Sequence, residues 1–212
     1  MLTFREEGDP AAPALVLLHG RTADHNDWNG FTQHFAARHH VIAPDLRGHG
    51  ASGYPGEYPI PAMADDIAAL LVQLDIERAT LVGHSLGGMV AYHLAMRHPE
   101  LVERLVLEDA VTPDPMPDRA PVVEDGSTGF DWRMVHDTER QFLHPDPAWS
   151  AGLAGISAPT LVLSGGSASP FRAELLAERI PGAKLVTIEV GHLIHLTDRK
   201  AFLQAVDGFL GD

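Results

Sequence analysis

Gly83-His84-Ser85-Leu86-Gly87 decides the reading of this chain, because of what lies on either side of it. Upstream, Arg78-Ala79-Thr80-Leu81-Val82 is a short apolar run with β-branched residues, the composition of a strand buried in a parallel sheet. Downstream, Met89, Val90, Tyr92, His93, Leu94 and Met96 recur at helical spacing as far as Arg97. A Gly-x-Ser-x-Gly pentapeptide between strand and helix makes a turn so sharp that the positions two residues away on each side must lack a Cβ. It holds the serine hydroxyl beyond the carboxyl end of the strand, with the amino terminus of the helix pointing at it. Ser85 is therefore the candidate nucleophile.

The same alternation continues outward from that turn. Ala14 to Leu18 reads as a strand ending in His19-Gly20, and Ala23 to Arg38 as a helix with Trp28, Phe31 and Phe35 on one stripe. Val41-Ile42-Ala43 is the next strand, closed by Pro44-Asp45 and the loop Arg47-Gly48-His49-Gly50-Ala51-Ser52. Met63 to Leu74 is helical, Leu105-Val106-Leu107 a strand, Thr160 to Leu163 a strand and Phe171 to Ile180 a helix. A strand from Lys184 to Ile188 and a helix from Asp198 to Leu210 complete the series. The pattern predicts an α/β fold, a mostly parallel sheet flanked by helices on both faces. Only 13 residues precede Ala14, so an edge strand is expected to be missing and one sheet edge left open.

Residues 111–158 break the alternation. Pro113, Pro115, Pro117 and Pro121 remove backbone donors, a helical patch spans Trp132 to Leu143, and Pro145, Pro147 and Trp149 follow. This division predicts a core made of residues 1–110 and 159–212, with 111–158 as a short cap inserted above the sharp turn.

Composition narrows the function classes. The chain has 212 residues, 45% apolar and 21% charged, enough for one sizeable core and no second domain. A formal charge of −14 argues against a nucleic-acid partner, whose phosphates attract basic surfaces. There is no cysteine, so thiolate chemistry and disulfides are excluded. The absence of a signal-peptide pattern and of a long apolar run predicts a cytoplasmic protein with no membrane partner. Oligomeric state stays open.

Four motifs in order carry a family resemblance: His19-Gly20 after a strand, Asp45-Leu46-Arg47-Gly48-His49-Gly50-Ala51-Ser52, the Ser85 turn, and Gly191-His192 after the last strand. On these the chain resembles the α/β-hydrolase superfamily from about Ala14 onward, in particular small-capped bacterial serine hydrolases and esterases. The resemblance implies His192 as the base that activates Ser85, with His195 three residues on as its competitor. It also implies a carboxylate to orient the imidazole. The family's usual position for that acid falls in Gly165-Gly166-Ser167-Ala168-Ser169-Pro170, which has none. Its alternative position, the end of the preceding strand, reads Leu107-Glu108-Asp109-Ala110. Side chains alternate along a strand, so only one of the two acids can face His192. Asp109, the last residue before the chain leaves the sheet, is preferred, and Glu108 is the alternative.

An oxyanion requires two donors already aimed at it. The backbone N–H of Leu86 is one, and the resemblance places the other at Arg21. The Arg21 side chain either makes a structural salt bridge or projects into the pocket, and His19 is expected to brace its loop. No metal and no cofactor is implied. The expected activity is hydrolysis of a small-molecule carboxylic ester through a Ser85–His192–Asp109 triad and an acyl-enzyme. The alternatives are a lyase-type reaction using the same groups for proton transfer, and a slow-turnover ligand-binding protein on the same fold.

Overall fold

Seven strands form one sheet in the order β1-β3-β2-β4-β5-β6-β7 in a computed structural model that describes residues 2–117 and 120–211. The strands are β1 Phe4–Glu7, β2 Ala14–Leu18, β3 His40–Pro44, β4 Ala79–His84, β5 Val102–Glu108, β6 Thr160–Ser164 and β7 Lys184–Thr187. All pair in parallel except β1, which runs antiparallel to β3. The helices are α1 Phe31–Phe35, α2 Ile60–Gln73, α3 Leu86–Arg97, α4 Trp132–Leu143, α5 Pro147–Gly152, α6 Glu174–Arg179, α7 Ile194–Thr197 and α8 Arg199–Leu210. No helix among the described residues is long and apolar enough to cross a membrane.

Strand periodicity divides the core in two. Val16, Leu18, Ile42, Leu81, Leu105 and Leu107 pack on one face against α2 and α3. Their neighbours Leu15, Leu17, Val41, Ala43, Val82 and Val106 pack on the other against Trp28, Phe31, Phe35 and the α8 residues Phe202 and Val206. Burying each such side chain contributes roughly 1.5–3 kcal/mol, so both layers resist displacement of the strand ends. The register aligns three of those ends: Leu18 opposes Gly83, Gly83 opposes Leu107, and His84 opposes Glu108. Ser85 and Asp109 directly follow two of those ends.

Two expectations are corrected. Residues 23–38 do not form one helix. Asp24 caps a 3-10 turn over His25–Trp28, and Gly30 takes a left-handed φ of 81° that separates this turn from α1. The Trp28, Phe31 and Phe35 stripe is still buried, because the broken segment keeps those side chains on one side. A strand does precede Ala14: β1 pairs with β3, with Phe4 opposite Pro44 and Glu7 opposite Val41, and is itself the edge strand of the sheet. The short, polar Phe-Arg-Glu-Glu run gave no apolar signal because most of it faces solvent.

Residues 111–158 contribute no strand among those described, and α4 and α5 lie within them. The segment is stitched to the core by backbone. Gly50 N–H donates to Gly129 O (2.7 Å), Asp131 N–H to Gly48 O (2.8 Å), and His49 bridges Phe130. The Gln141 amide clamps the start of α2, donating to Tyr58 O (2.9 Å) and accepting from Ile60 N–H (3.0 Å). Met134, Val135 and Phe142 of α4 are buried, and Trp149 of α5 meets the His93 ring edge-on at 4.6 Å. The described part of residues 111–158 packs on the core through these contacts, with the Arg47–Ser52 loop as one of its backbone anchors.

Candidate active site

Ser85 sits where β4 turns into α3, with φ 52° and ψ −113°. A non-glycine residue there costs on the order of 1–3 kcal/mol, sustained by the packing around it. The flanking glycines are required by close approach. A Cβ on Gly83 would lie 2.5 Å from Gly87 O, and one on Gly87 would lie 2.2 Å from Leu18 O. Ser85 N–H is fixed to Glu108 O (3.0 Å), which ties the turn to the end of β5.

Asp109 follows β5 directly and also has a left-handed backbone, φ 41°. Its carboxylate is fully buried and accepts three hydrogen bonds. Oδ1 takes the Gly165 N–H (2.9 Å), while Oδ2 takes the Ser169 hydroxyl and the His192 Nδ1–H (2.7 Å). With Nδ1 as donor to Asp109, the neutral form of His192 carries its lone pair on Nε2. The Gly165–Pro170 loop, which lacks an acid, thus supplies two donors that hold the acid coming from the neighbouring strand.

Glu108 points to the opposite side of the strand and pairs with the other histidine. Its Oε1 accepts both the backbone N–H and the Nδ1–H of His195, each at 2.8 Å. His195, in α7, is fully buried and stacked on Trp28 with ring centroids 4.6 Å apart. The two acids and two histidines therefore sort into two pairs, Asp109 with His192 and Glu108 with His195, on opposite sides of β5.

Ser85 and His192 face one cavity of ≈ 510 Å³. The core lines it with Gly20, Arg21, Asp27 and His84, and the cap with Val122, Trp132, Val135 and Phe142. Among the described residues the Ser85 hydroxyl makes no hydrogen bond, as in many unliganded sites where the catalytic bond tightens only around substrate. The backbone N–H groups of Arg21 and Leu86 likewise donate to nothing among the described residues, and Leu86 is the first residue of α3. The Arg21 side chain spans to the cap, with Nη1 2.7 Å from Glu139 Oε2 and the guanidinium 5.1 Å from the Phe142 ring centroid. His19 donates from Nδ1 to Gly20 O (2.8 Å) and accepts Leu46 N–H at Nε2 (3.0 Å). Burial pushes its pKa down, so it is a neutral brace.

Sequence reasoning missed Asp27 and His84. His84 Nε2–H donates to His192 O (3.0 Å), and its ring lies 4.6 Å from the His192 ring. The available signal was register: the residue before Ser85 must emerge beside the residue before Asp109. Of the other residues singled out, Trp132 lines the cavity, Met89 is core, and Trp149 packs on His93.

Among the described residues, two groups bring potential metal-ligating atoms within 4.8 Å of one another, His84-Glu108-His195 and Asp24-His25-Asp45. In the first, Glu108 Oε1 is occupied by two N–H donors. In the second, Asp45 Oδ1 accepts the backbone N–H (2.8 Å) and Nδ1–H (2.7 Å) of His25. In both groups the carboxylate oxygen is already engaged in hydrogen bonds.

The family model of the alpha/beta hydrolase fold matches residues 13–134. An uncharacterized protein of Mycobacterium tuberculosis is 49% identical over 108 residues, covering 50% of this chain but only 31% of that relative's length. The putative carbamate hydrolase RutD of Pseudomonas syringae is 30% identical over 243 residues, covering 94% of each chain. A solved hydrolase from Pseudomonas aeruginosa matches with a TM-score of 0.83 at 28% identity, over 100% of this chain and 94% of that one. With the fold, the strained serine turn and these matches in agreement, the chain belongs to the α/β-hydrolase family.

Proposed function

We propose that the protein is a serine hydrolase of small carboxylic esters, working through an acyl-enzyme on Ser85. The observation that carries this reading is the His192 Nδ1–Asp109 Oδ2 bond of 2.7 Å on the wall of the cavity that Ser85 enters. Ser85 Oγ attacks the ester carbonyl while His192 Nε2 takes its proton. Asp109 holds the imidazole in the tautomer this requires and stabilises the imidazolium that results. The carbonyl oxygen, now an anion, lies against the backbone N–H groups of Arg21 and Leu86, where each donor is worth about 3–4 kcal/mol in the transition state. Collapse breaks the ester C–O bond, and the imidazolium gives its proton to the departing alcohol. Water, deprotonated by His192, then attacks the acyl-enzyme and releases the carboxylic acid with Ser85 restored.

The cap side of the cavity is apolar and the volume is ≈ 510 Å³, which suits a short acyl chain. Only protein groups take part, with no cofactor, and a cysteine-free chain of this kind suits a cytoplasmic setting. The test is a chain-length series of p-nitrophenyl esters against wild type and Ser85→Ala. The reading expects preference for short chains and loss of turnover in the variant. Undiminished turnover by Ser85→Ala would overturn it.

A further inference from the structure

Behind His192 lies a buried charge cluster that the proposed reaction leaves unused. His195 is fully buried, yet it meets a carboxylate at each ring nitrogen. Nδ1 is 2.8 Å from Glu108 Oε1 and Nε2 is 3.5 Å from Asp27 Oδ1. The Nδ1 contact is a hydrogen bond, whereas Nε2 makes none and lies within ion-pair range of Asp27, so an imidazolium, with a proton on each nitrogen, is the form that both ionised carboxylates attract. Trp28 stacks on the ring, and Phe31 and Phe202 close its edges.

The cluster holds the loop that carries His192. Among the described residues that loop is attached to the strand ends by Gly191 N–H to Gly165 O (2.9 Å), His84 Nε2–H to His192 O (3.0 Å), His192 Nδ1–H to Asp109 Oδ2 (2.7 Å) and His195 N–H to Glu108 Oε1 (2.8 Å). Gly165, His84 and Glu108 stand at the carboxyl ends of β6, β4 and β5. The first two attachments join neutral groups. The other two end on carboxylates, and Nε2 of the His195 ring also lies 3.5 Å from Oδ1 of Asp27, which borders the cavity beside His84.

We propose that His195, bridging Glu108 and Asp27, is a positioning residue whose second ring proton keeps the His192 loop in its working place. The proposal rests on the reading of Ser85, His192 and Asp109 given above. The titratable groups facing His195 are Glu108 from β5, Asp27 from the 3-10 turn and His84 from β4, and the His84 ring in turn meets the His192 ring. The charged group of α8 on that side, Arg199, lies over the Phe31 ring at 4.4 Å. Burial alone would push the His195 pKa down, but the charges of Glu108 and Asp27 and their hydrogen bonds carry it up to about 9. Burial would raise Asp27, yet His195 holds its carboxyl below the usual range. Burial pushes His84 down, which keeps it a neutral donor to His192 O. When His195 loses its proton, one nitrogen becomes a lone pair. With Nδ1–H and the backbone N–H still held by Glu108, that lone pair falls on Nε2, which faces Asp27, and the loop loses its electrostatic tie to the 3-10 turn.

The experiment is an NMR titration of histidine ring resonances in the wild-type protein, with the pH profile of kcat measured alongside. His195 is expected to release its proton at about pH 9, with the His192 resonances shifting at the same midpoint. The kcat profile is expected to show an alkaline limb there, with KM little changed. Glu108→Gln should move both the midpoint and the limb down by about 1–3 pH units. His195→Asn keeps a donor toward Glu108 but has no titrating ring, and should abolish the coupled shift at His192. A His195 that titrates without moving the His192 resonances would overturn the proposal, as would one already neutral at pH 7. The NMR readout needs no turnover, so a failure of the Ser85 assignment would leave it intact and appear only in the kinetics.

Discussion

Replacing Asp109 by Asn leaves shape and volume intact and forces the site to choose between two faults. The Asn side chain offers one acceptor where Asp109 receives Gly165 N–H, the Ser169 hydroxyl and His192 Nδ1–H. If its oxygen stays on Gly165, its amide N–H faces His192, which must then accept at Nδ1 and carry its proton on Nε2. In that tautomer it cannot take a proton from Ser85. If the amide flips, its NH₂ group meets the Gly165 N–H, a buried donor against a donor, at a cost of about 1–3 kcal/mol. Neither state keeps the anion, and losing a charge-assisted hydrogen bond to the imidazolium costs about 1.5–3 kcal/mol more. Together these raise the barrier by about 2.5–6 kcal/mol, a loss of roughly 10²–10⁴-fold at about 1.4 kcal/mol per decade. The assay is kcat/KM for a short p-nitrophenyl ester at neutral pH, with circular dichroism to verify folding. Asp109→Asn retaining more than a tenth of wild-type kcat/KM would refute the reasoning.

Gly87→Ala puts a Cβ 2.2 Å from Leu18 O, so the elbow must move against β2. Urea unfolding should show a loss of at least about 1–3 kcal/mol, whereas an unchanged midpoint would contradict the geometry. His195 also predicts a pH dependence of stability. Its folded pKa of about 9 stands above the unfolded 6.5, so its contribution is complete below pH 6.5 and is lost as pH rises through 9. The difference corresponds to about 3 kcal/mol. Wild type should therefore lose more stability than His195→Asn across that interval, and parallel urea midpoints would exclude it.

The sheet and the elbow were legible in the sequence because strands such as Leu15-Val16-Leu17 are buried on both faces, leaving continuous apolar runs. The β1 strand was not legible, since Phe4–Glu7 is held mainly by backbone pairing to β3 and faces solvent with charged side chains. The break within residues 23–38 depends on a left-handed glycine, and a helical stripe of aromatics cannot reveal it. Alternation along β5 stated that Glu108 and Asp109 diverge, and the structure puts a histidine opposite each. What alternation could not state was that His195 lies behind the sheet, because that depends on how α7 folds back over Trp28. Asp27 was invisible for the same reason: its neighbours His195 and His84 are distant in sequence.

The account depends most on Ser85 becoming acylated. Wild-type protein exposed to a slowly deacylating p-nitrophenyl ester, quenched in acid and read by intact and peptide mass spectrometry, is expected to carry one acyl group on Ser85. The adduct should be absent in Ser85→Ala and should form far more slowly in His192→Ala. An acyl group found on another residue, or turnover with no adduct at Ser85 under single-turnover conditions, would contradict the account.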